Sequence, residues 1–199
     1  MAEQESWSGS EFLNVAGAFQ AGMVLVALGV AGALDIDVWD RVAFTPAALG
    51  WGLLGILPLC LISWLMDHIS WEPFQRMEQA WTSVLGPALR DLSYTKLVTL
   101  ALLVGVSEEL LFRGVLQVSL LSWGWWPAMI ATSIAFGLAH AITPTYAICA
   151  GLIGAYLSAM MELTSPPNLI IPILCHAGCD LYAFVQIKRE QLTKASGGT

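Results

Sequence analysis

Six apolar runs, near residues 12–34, 44–66, 97–121, 126–143, 145–161 and 168–187, occupy most of this 199-residue chain. A helix needs about 20 apolar residues to cross the hydrocarbon of a bilayer. In lipid a helix also satisfies its backbone groups within one segment. The runs therefore predict an all-α, polytopic transmembrane bundle of about six spans. Composition bears on the solvent: 12% of residues are charged and 57% hydrophobic, against about 25% charged in a soluble domain. So little charge does not cover a globular surface in water, and a soluble fold is excluded.

Prolines mark the breaks, at Thr143-Pro144 between the fourth and fifth runs and at Ser165-Pro166-Pro167 before the sixth. Proline lacks an N–H and does not extend a helix backwards. With no internal repeat and no low-complexity segment, residues 1–199 read as a single membrane domain. Two N-terminal spans lie at 12–66, an interfacial stretch at 67–94, a core at about 95–187 and a polar tail at 188–199, expected to be disordered from Lys194 onward. In the interfacial stretch Phe74, Met77, Trp81 and Leu85 recur at helical spacing, with Glu72, Gln75, Arg76, Glu78 and Gln79 on other faces. That pattern predicts a helix lying in the plane of the membrane surface, closed by Gly86-Pro87. It suits a structural anchor, and also a gate that touches substrate. Trp123, Trp125 and Trp126, at span ends, read as part of an aromatic belt.

The net charge of −7, with no basic cluster longer than Lys188-Arg189, excludes a nucleic-acid partner, whose phosphates demand a basic face. The acidic start Met1-Ala-Glu-Gln-Glu is unlike a secretory signal peptide. Cys60, Cys149, Cys175 and Cys179 all lie inside apolar runs and read as free, buried thiols rather than a disulfide framework. Arg76, Arg90, Lys96, Lys188, Arg189 and Lys194 fall on one side of a six-span arrangement, and only Arg41 on the other. Positive charge favours the cytoplasm. The expectation is a multi-pass protein of the cell (inner) membrane with both termini cytoplasmic.

Of all Asp, Glu, Lys and Arg residues, only Glu108, Glu109, Arg113 and Asp180 fall inside the apolar runs. At 1.5 Å per residue Glu108 lies about 16 Å in from Leu97, near the middle of a hydrocarbon layer about 30 Å thick. A charged side chain there costs at least about 2.5–3.5 kcal/mol and is by default a functional residue. Glu109 and Arg113 are four apart and share a helix face, so they form a supporting ion pair. Glu108 points about 100° away and has no partner on its own helix, which suits a general base or acid. His140 ends Phe136-Gly-Leu-Ala-His140, and His176 opens His176-Ala-Gly-Cys-Asp180, each motif with partners four apart. Pro172 is expected to kink the last span toward the interior. Polar groups this costly should converge on one wet cavity.

Three motifs then resemble, in order, those of the type II CAAX prenyl endopeptidases, the CPBP or Abi family of intramembrane proteases. Glu108-Glu109-Leu-Leu-Phe-Arg113 is similar to the family's Glu-Glu-x-x-x-Arg, Phe136 to His140 to its Phe-x-x-x-His, and His176 to Asp180 to its His followed four residues on by Asn or Asp. The resemblance covers about residues 95–187. It implies a helical bundle with a site open to water and laterally to a membrane-embedded or lipidated peptide or protein substrate. It further implies that Glu108 acts as general base with His140 as its partner, on water that attacks the scissile peptide bond. His176 and Asp180 are implied at the oxyanion, and Phe136 as motif packing.

Position 180 departs from the prenyl-protease form. An ionised Asp accepts hydrogen bonds and donates none. Either Asp180 is protonated, or it orients His176, or a metal is present. The first functional reading needs no metal and no cofactor. A second runs the same hydrolysis on zinc held by Glu108 or Glu109, His140, His176 and Asp180, and the four-residue spacing of Cys175 and Cys179 also allows a ligand role. A third is a non-enzymatic immunity or partner-binding membrane protein, or a proton relay.

Overall fold

The computed structural model describes residues 8–197, and within them every regular element is helical. The acidic segment read from Met1 to Glu5 lies outside the described residues. Helix α1 (Gly9–Ala33) opens on a reciprocal cap: Ser8 Oγ accepts from the Glu11 amide and the Ser8 amide donates to Glu11 Oε2. Such a capping box satisfies two of the orphan amides at a helix start. Helix α2 (Pro46–Asp67) starts on a Thr45 cap with proline in its first turn, where the missing N–H costs nothing. Then follow α3 (Glu72–Asp91), α4 (Tyr94–Glu109), α5 (Trp125–Ala139), α6 (Pro144–Met161) and α7 (Ile170–Gly197). Beyond Glu109 the helix axis continues through a π-helical stretch, Leu110–Gln117.

Helix α7 is the hub, packing against α2, α4, α3 and α6, while α5 pairs with α6. The α2–α7 contact is close because α2 presents glycines. A Cβ on Gly52 would stand 2.8 Å from the Leu174 side chain, and one on Gly55 would collide with Cys175 and Met160. Small residues of this kind let membrane helices approach to backbone contact. The outward faces carry Leu25, Leu57, Leu138 and Leu152, each more than half exposed. That is a lipid-facing surface, not a water-facing one.

Four helices, α1, α2, α6 and α7, are long and apolar enough to cross a membrane. This count, taken among the described residues, differs from the expected six or so within the same all-α bundle. Helix α5 has 15 residues, about 22 Å of helix, and ends where His140 takes over its C-cap. Helix α4 has 16 residues and carries two carboxylates at its end before the π-helical stretch begins.

Two further boundaries differ from the sequence reading. Helix α3 does not close at Gly86-Pro87 but runs on to Asp91, because that turn is buried: Gly86, Ala88 and Leu89 face the core. Helix α7 does not give way to a tail at residue 188. It continues to Gly197, and Lys188 is itself buried, its Nζ donating to the carbonyls of Arg90 and Leu92 (2.8 Å to the latter). The amphipathic pattern of α3 holds: Phe74, Met77, Trp81 and Leu85 are partly covered, and Glu72, Gln75, Arg76, Glu78 and Gln79 are exposed.

Candidate active site

The last turn of α4 delivers Glu108 and Glu109 to the bundle interior, 7% and 0% exposed. The π-helical stretch then follows at once, a local widening that is frequent at functional sites. Its Arg113 turns back, fully buried, with Nη1 donating to Glu109 Oε1 at 2.8 Å and Nη2 to the Gly154 carbonyl on α6 at 2.8 Å. The guanidinium also lies over the Phe136 ring, 4.5 Å from its centroid. Two hydrogen bonds and an aromatic face thus hold a charge that would otherwise be costly in the interior.

Glu109 does more than pair with Arg113. Its Oε1 also accepts the Nδ1–H of His176 on α7 at 2.7 Å. Of the partners expected for His176, Glu109 takes Nδ1, and Asp180 Oδ2 stands 3.6 Å from the other nitrogen, Nε2. His140, at the end of α5, is fixed in the same way, its Nδ1–H donating to the Phe136 carbonyl at 2.8 Å. The Phe136 ring lies against the His140 ring, centroids 4.4 Å apart, and meets the His176 ring edge-on at 5.7 Å.

With both Nδ1 atoms spoken for, both Nε2 atoms are left to face Glu108. Glu108 Oε2 lies 3.4 Å from His140 Nε2 and 3.9 Å from His176 Nε2. It is buried and has no hydrogen-bond partner among the described residues. The expected constellation therefore assembles: Glu108, His140, His176 and Asp180 line one cavity of about 220 Å³. Phe136 lines the cavity with them, and Glu109 and Arg113 stand behind it as its support.

Among the described residues no three His, Cys, Asp or Glu side chains are grouped to hold a metal ion. Glu109 is committed to Arg113 and His176. Cys175 turns to α2, where its Sγ contacts the Gly52 carbonyl at 3.3 Å. Cys179 lines the cavity without joining a ligand group, and all four cysteines are free.

This chemistry sits on α4, α5 and α7, and there the comparison with known families falls. Residues 90–182 match the family model described as Type II CAAX prenyl endopeptidase Rce1-like. This segment is similar to an Rce1-like domain. It spans just under half of the chain and contains every residue singled out above from Glu108 to Asp180. No curated protein and no solved structure gave a match. The Rce1-like family implies intramembrane CAAX-protease activity, and with four apolar spanning helices the chain is an integral membrane protein.

The Rce1-like segment does not enclose the cavity alone. Gln20 of α1 and Trp81 of α3, both before the segment, also line it, as does Tyr146 of α6 within it. The sequence reading allows the helix of Trp81 as a gate that touches substrate, and passes over Gln20 and Tyr146, the latter lying at the start of an apolar run. Gln20 did carry a signal, a carboxamide in the middle of a span, which is costly unless it is used.

Proposed function

We propose that the protein is an intramembrane endopeptidase in which Glu108 and His140 activate a water molecule against a peptide bond. The observation that carries this reading is the environment of Glu108 Oε2, buried, without a protein donor, and faced by two histidine Nε2 atoms. Glu108 removes a proton from water, and the hydroxyl oxygen bonds to the scissile carbonyl carbon as the carbonyl electron pair moves onto oxygen. Collapse of that intermediate restores the C=O bond and breaks C–N. The departing nitrogen takes the proton from Glu108, leaving a carboxylic acid and an amine. A base placed this way contributes about 10²–10⁴-fold.

His176 is the group for the developing oxyanion. Because its Nδ1–H is given to Glu109, its Nε2 donates only in the imidazolium form, so it meets the oxyanion as a cation. Three carboxylates, Glu108, Glu109 and Asp180, stand around it. The substrate class is a peptide or protein segment within or anchored to the membrane. The site belongs to the cell membrane, with both chain termini in the cytoplasm.

The deciding variant is Glu108→Gln, which keeps volume and removes the base. Purified protein in detergent or vesicles should lose cleavage of a membrane peptide by at least about 10²-fold while keeping its helical content and thermal midpoint. Peptide profiles of cells carrying wild-type and variant protein name the substrate in the same experiment. An immunity factor, partner-binding protein or relay would keep its phenotype in the variant, and cleavage surviving Glu108→Gln overturns the protease reading.

A further inference from the structure

Gln20 is a buried polar residue that the hydrolytic scheme does not use. It lies in α1, 7% exposed, on a helix otherwise apolar enough to span a membrane. Its one hydrogen bond comes from Ser107, whose Oγ–H donates to Gln20 Oε1 at 2.5 Å. Ser107 directly precedes Glu108. The carbonyl end of the carboxamide is therefore taken, and its Nε2, which carries two N–H donors, has no partner among the described residues. Gln20 nevertheless lines the cavity that holds Glu108, His140 and His176.

The neighbours along α1 give the direction. Phe12, Ala16 and Gln20 recur every four residues and line the same cavity, so one face of α1 is apolar until it reaches Glu108's neighbour and then turns polar. Leu85, Leu100 and Phe184 continue the apolar wall from other helices. An extended substrate with apolar side chains would lie along this wall and present its backbone at the Gln20 end. Gln20 faces the cavity, and a peptide carbonyl is the acceptor that a protease substrate always brings there.

We propose that Gln20 is a substrate-binding residue of the same site, its Nε2 donating to a backbone carbonyl oxygen of the peptide being cleaved. The N-terminal helix, outside the Rce1-like segment, thereby becomes part of the active site. The inference rests on the protease reading above. The competing role is structural, with Gln20 serving only to latch α1 to α4 through Ser107.

Two variants separate these roles. Gln20→Met keeps the length of the side chain and removes both the latch and the donor; Ser107→Ala removes the latch and leaves the donor. Cleavage of a membrane-inserted peptide in vesicles should fall about 10–100-fold in kcat/KM for Gln20→Met, the range expected for a lost hydrogen bond to a polar or charging oxygen. Ser107→Ala should stay within about threefold of wild type, and both should share one thermal midpoint. Equal losses in the two variants, or a Gln20→Met protein within about twofold of wild type, overturn the proposal. If Glu108→Gln is inactive while Gln20→Met is fully active, only this inference falls. If Glu108→Gln is active, the protease reading falls first.

Discussion

The Nδ1–H of His176 donates to Glu109 Oε1 across 2.7 Å, tying α7 to the end of α4. The same oxygen receives Arg113 at 2.8 Å, and Arg113 in turn reaches the Gly154 carbonyl of α6. Four side-chain or backbone groups on three stretches of chain thus form one buried line ending at the cavity. The ion pair of the first motif and the histidine of the third are one device.

Glu109→Gln tests that line. The variant leaves the Arg113 guanidinium, fully buried, without its counter-charge, and breaking such a pair costs about 3–5 kcal/mol. A marked fall in thermal midpoint is expected, with cleavage lost. The double variant Glu109→Gln/Arg113→Met removes both charges and should regain most of the stability. It should not regain cleavage, because His176 still lacks a carboxylate at Nδ1. Full recovery of cleavage in the double variant would reduce Glu109 to a counter-ion for Arg113.

Gly154 has a specific reason to lack a side chain. A Cβ there would lie 3.0 Å from Arg113 Nη2 and 3.4 Å from the Phe136 ring. Gly154→Ala must push the guanidinium off the carbonyl it uses and off the ring it covers, and overpacking of this kind costs about 1–3 kcal/mol. Since Phe136 also holds His140, cleavage should fall more than the loss of folded protein explains. Measuring kcat on the folded fraction checks this, and an unchanged kcat would show that Arg113 has room to move.

Much of this site can be read from the sequence because helix periodicity does the work. Residues four apart share a face, so Glu109 with Arg113, Phe136 with His140 and His176 with Asp180 emerge as pairs before any fold is known. Convergence of Glu108 with two histidines from other helices follows from the cost of polar groups in lipid. What stays hidden is set by tertiary contact. The π-helical stretch depends on Arg113 finding an acceptor on α6, which no local pattern announces. The passage of α3 through Gly86-Pro87 depends on core burial and on a lysine from the far end of the chain. The span count differs from six where chemistry interrupts apolar length, at Glu108-Glu109 in α4 and His140 after α5.

Lys188 provides a control remote from the cavity. Its ammonium meets the carbonyls of Arg90 and Leu92 at the C-terminal end of α3 and lies 5.8 Å from the Tyr94 ring centroid. A cation there satisfies carbonyls that the helix leaves open. Lys188→Met keeps the apolar stem and should lower stability by about 1–3 kcal/mol, the cost of unmet buried acceptors. Limited proteolysis should then cut earlier near residues 90–93, with kcat on folded protein within about threefold of wild type. Unchanged proteolysis would mean that α3 is held by its apolar face alone.

Asp180 is the sharpest test of how the oxyanion is met. Its Oδ2 lies 3.6 Å from His176 Nε2, the atom proposed to serve the intermediate. An ionised carboxylate there donates nothing to an oxyanion and competes with it for the imidazolium proton. Asp180→Asn keeps shape, removes that competition and adds two N–H donors at the place where charge develops. Removing one oxyanion donor from a hydrolase costs about 10²–10³-fold, so adding one should not harm the reaction. Asp180→Asn is therefore expected to cleave at least as fast as wild type, and Asp180→Leu more slowly, each measured as kcat with the thermal midpoint checked. An Asn variant as slow as the Leu variant would mean that the negative charge of Asp180 is itself required. The carboxylate would then serve by holding His176 in its cationic form, and the oxyanion would depend on His176 and the remaining donors of the cavity.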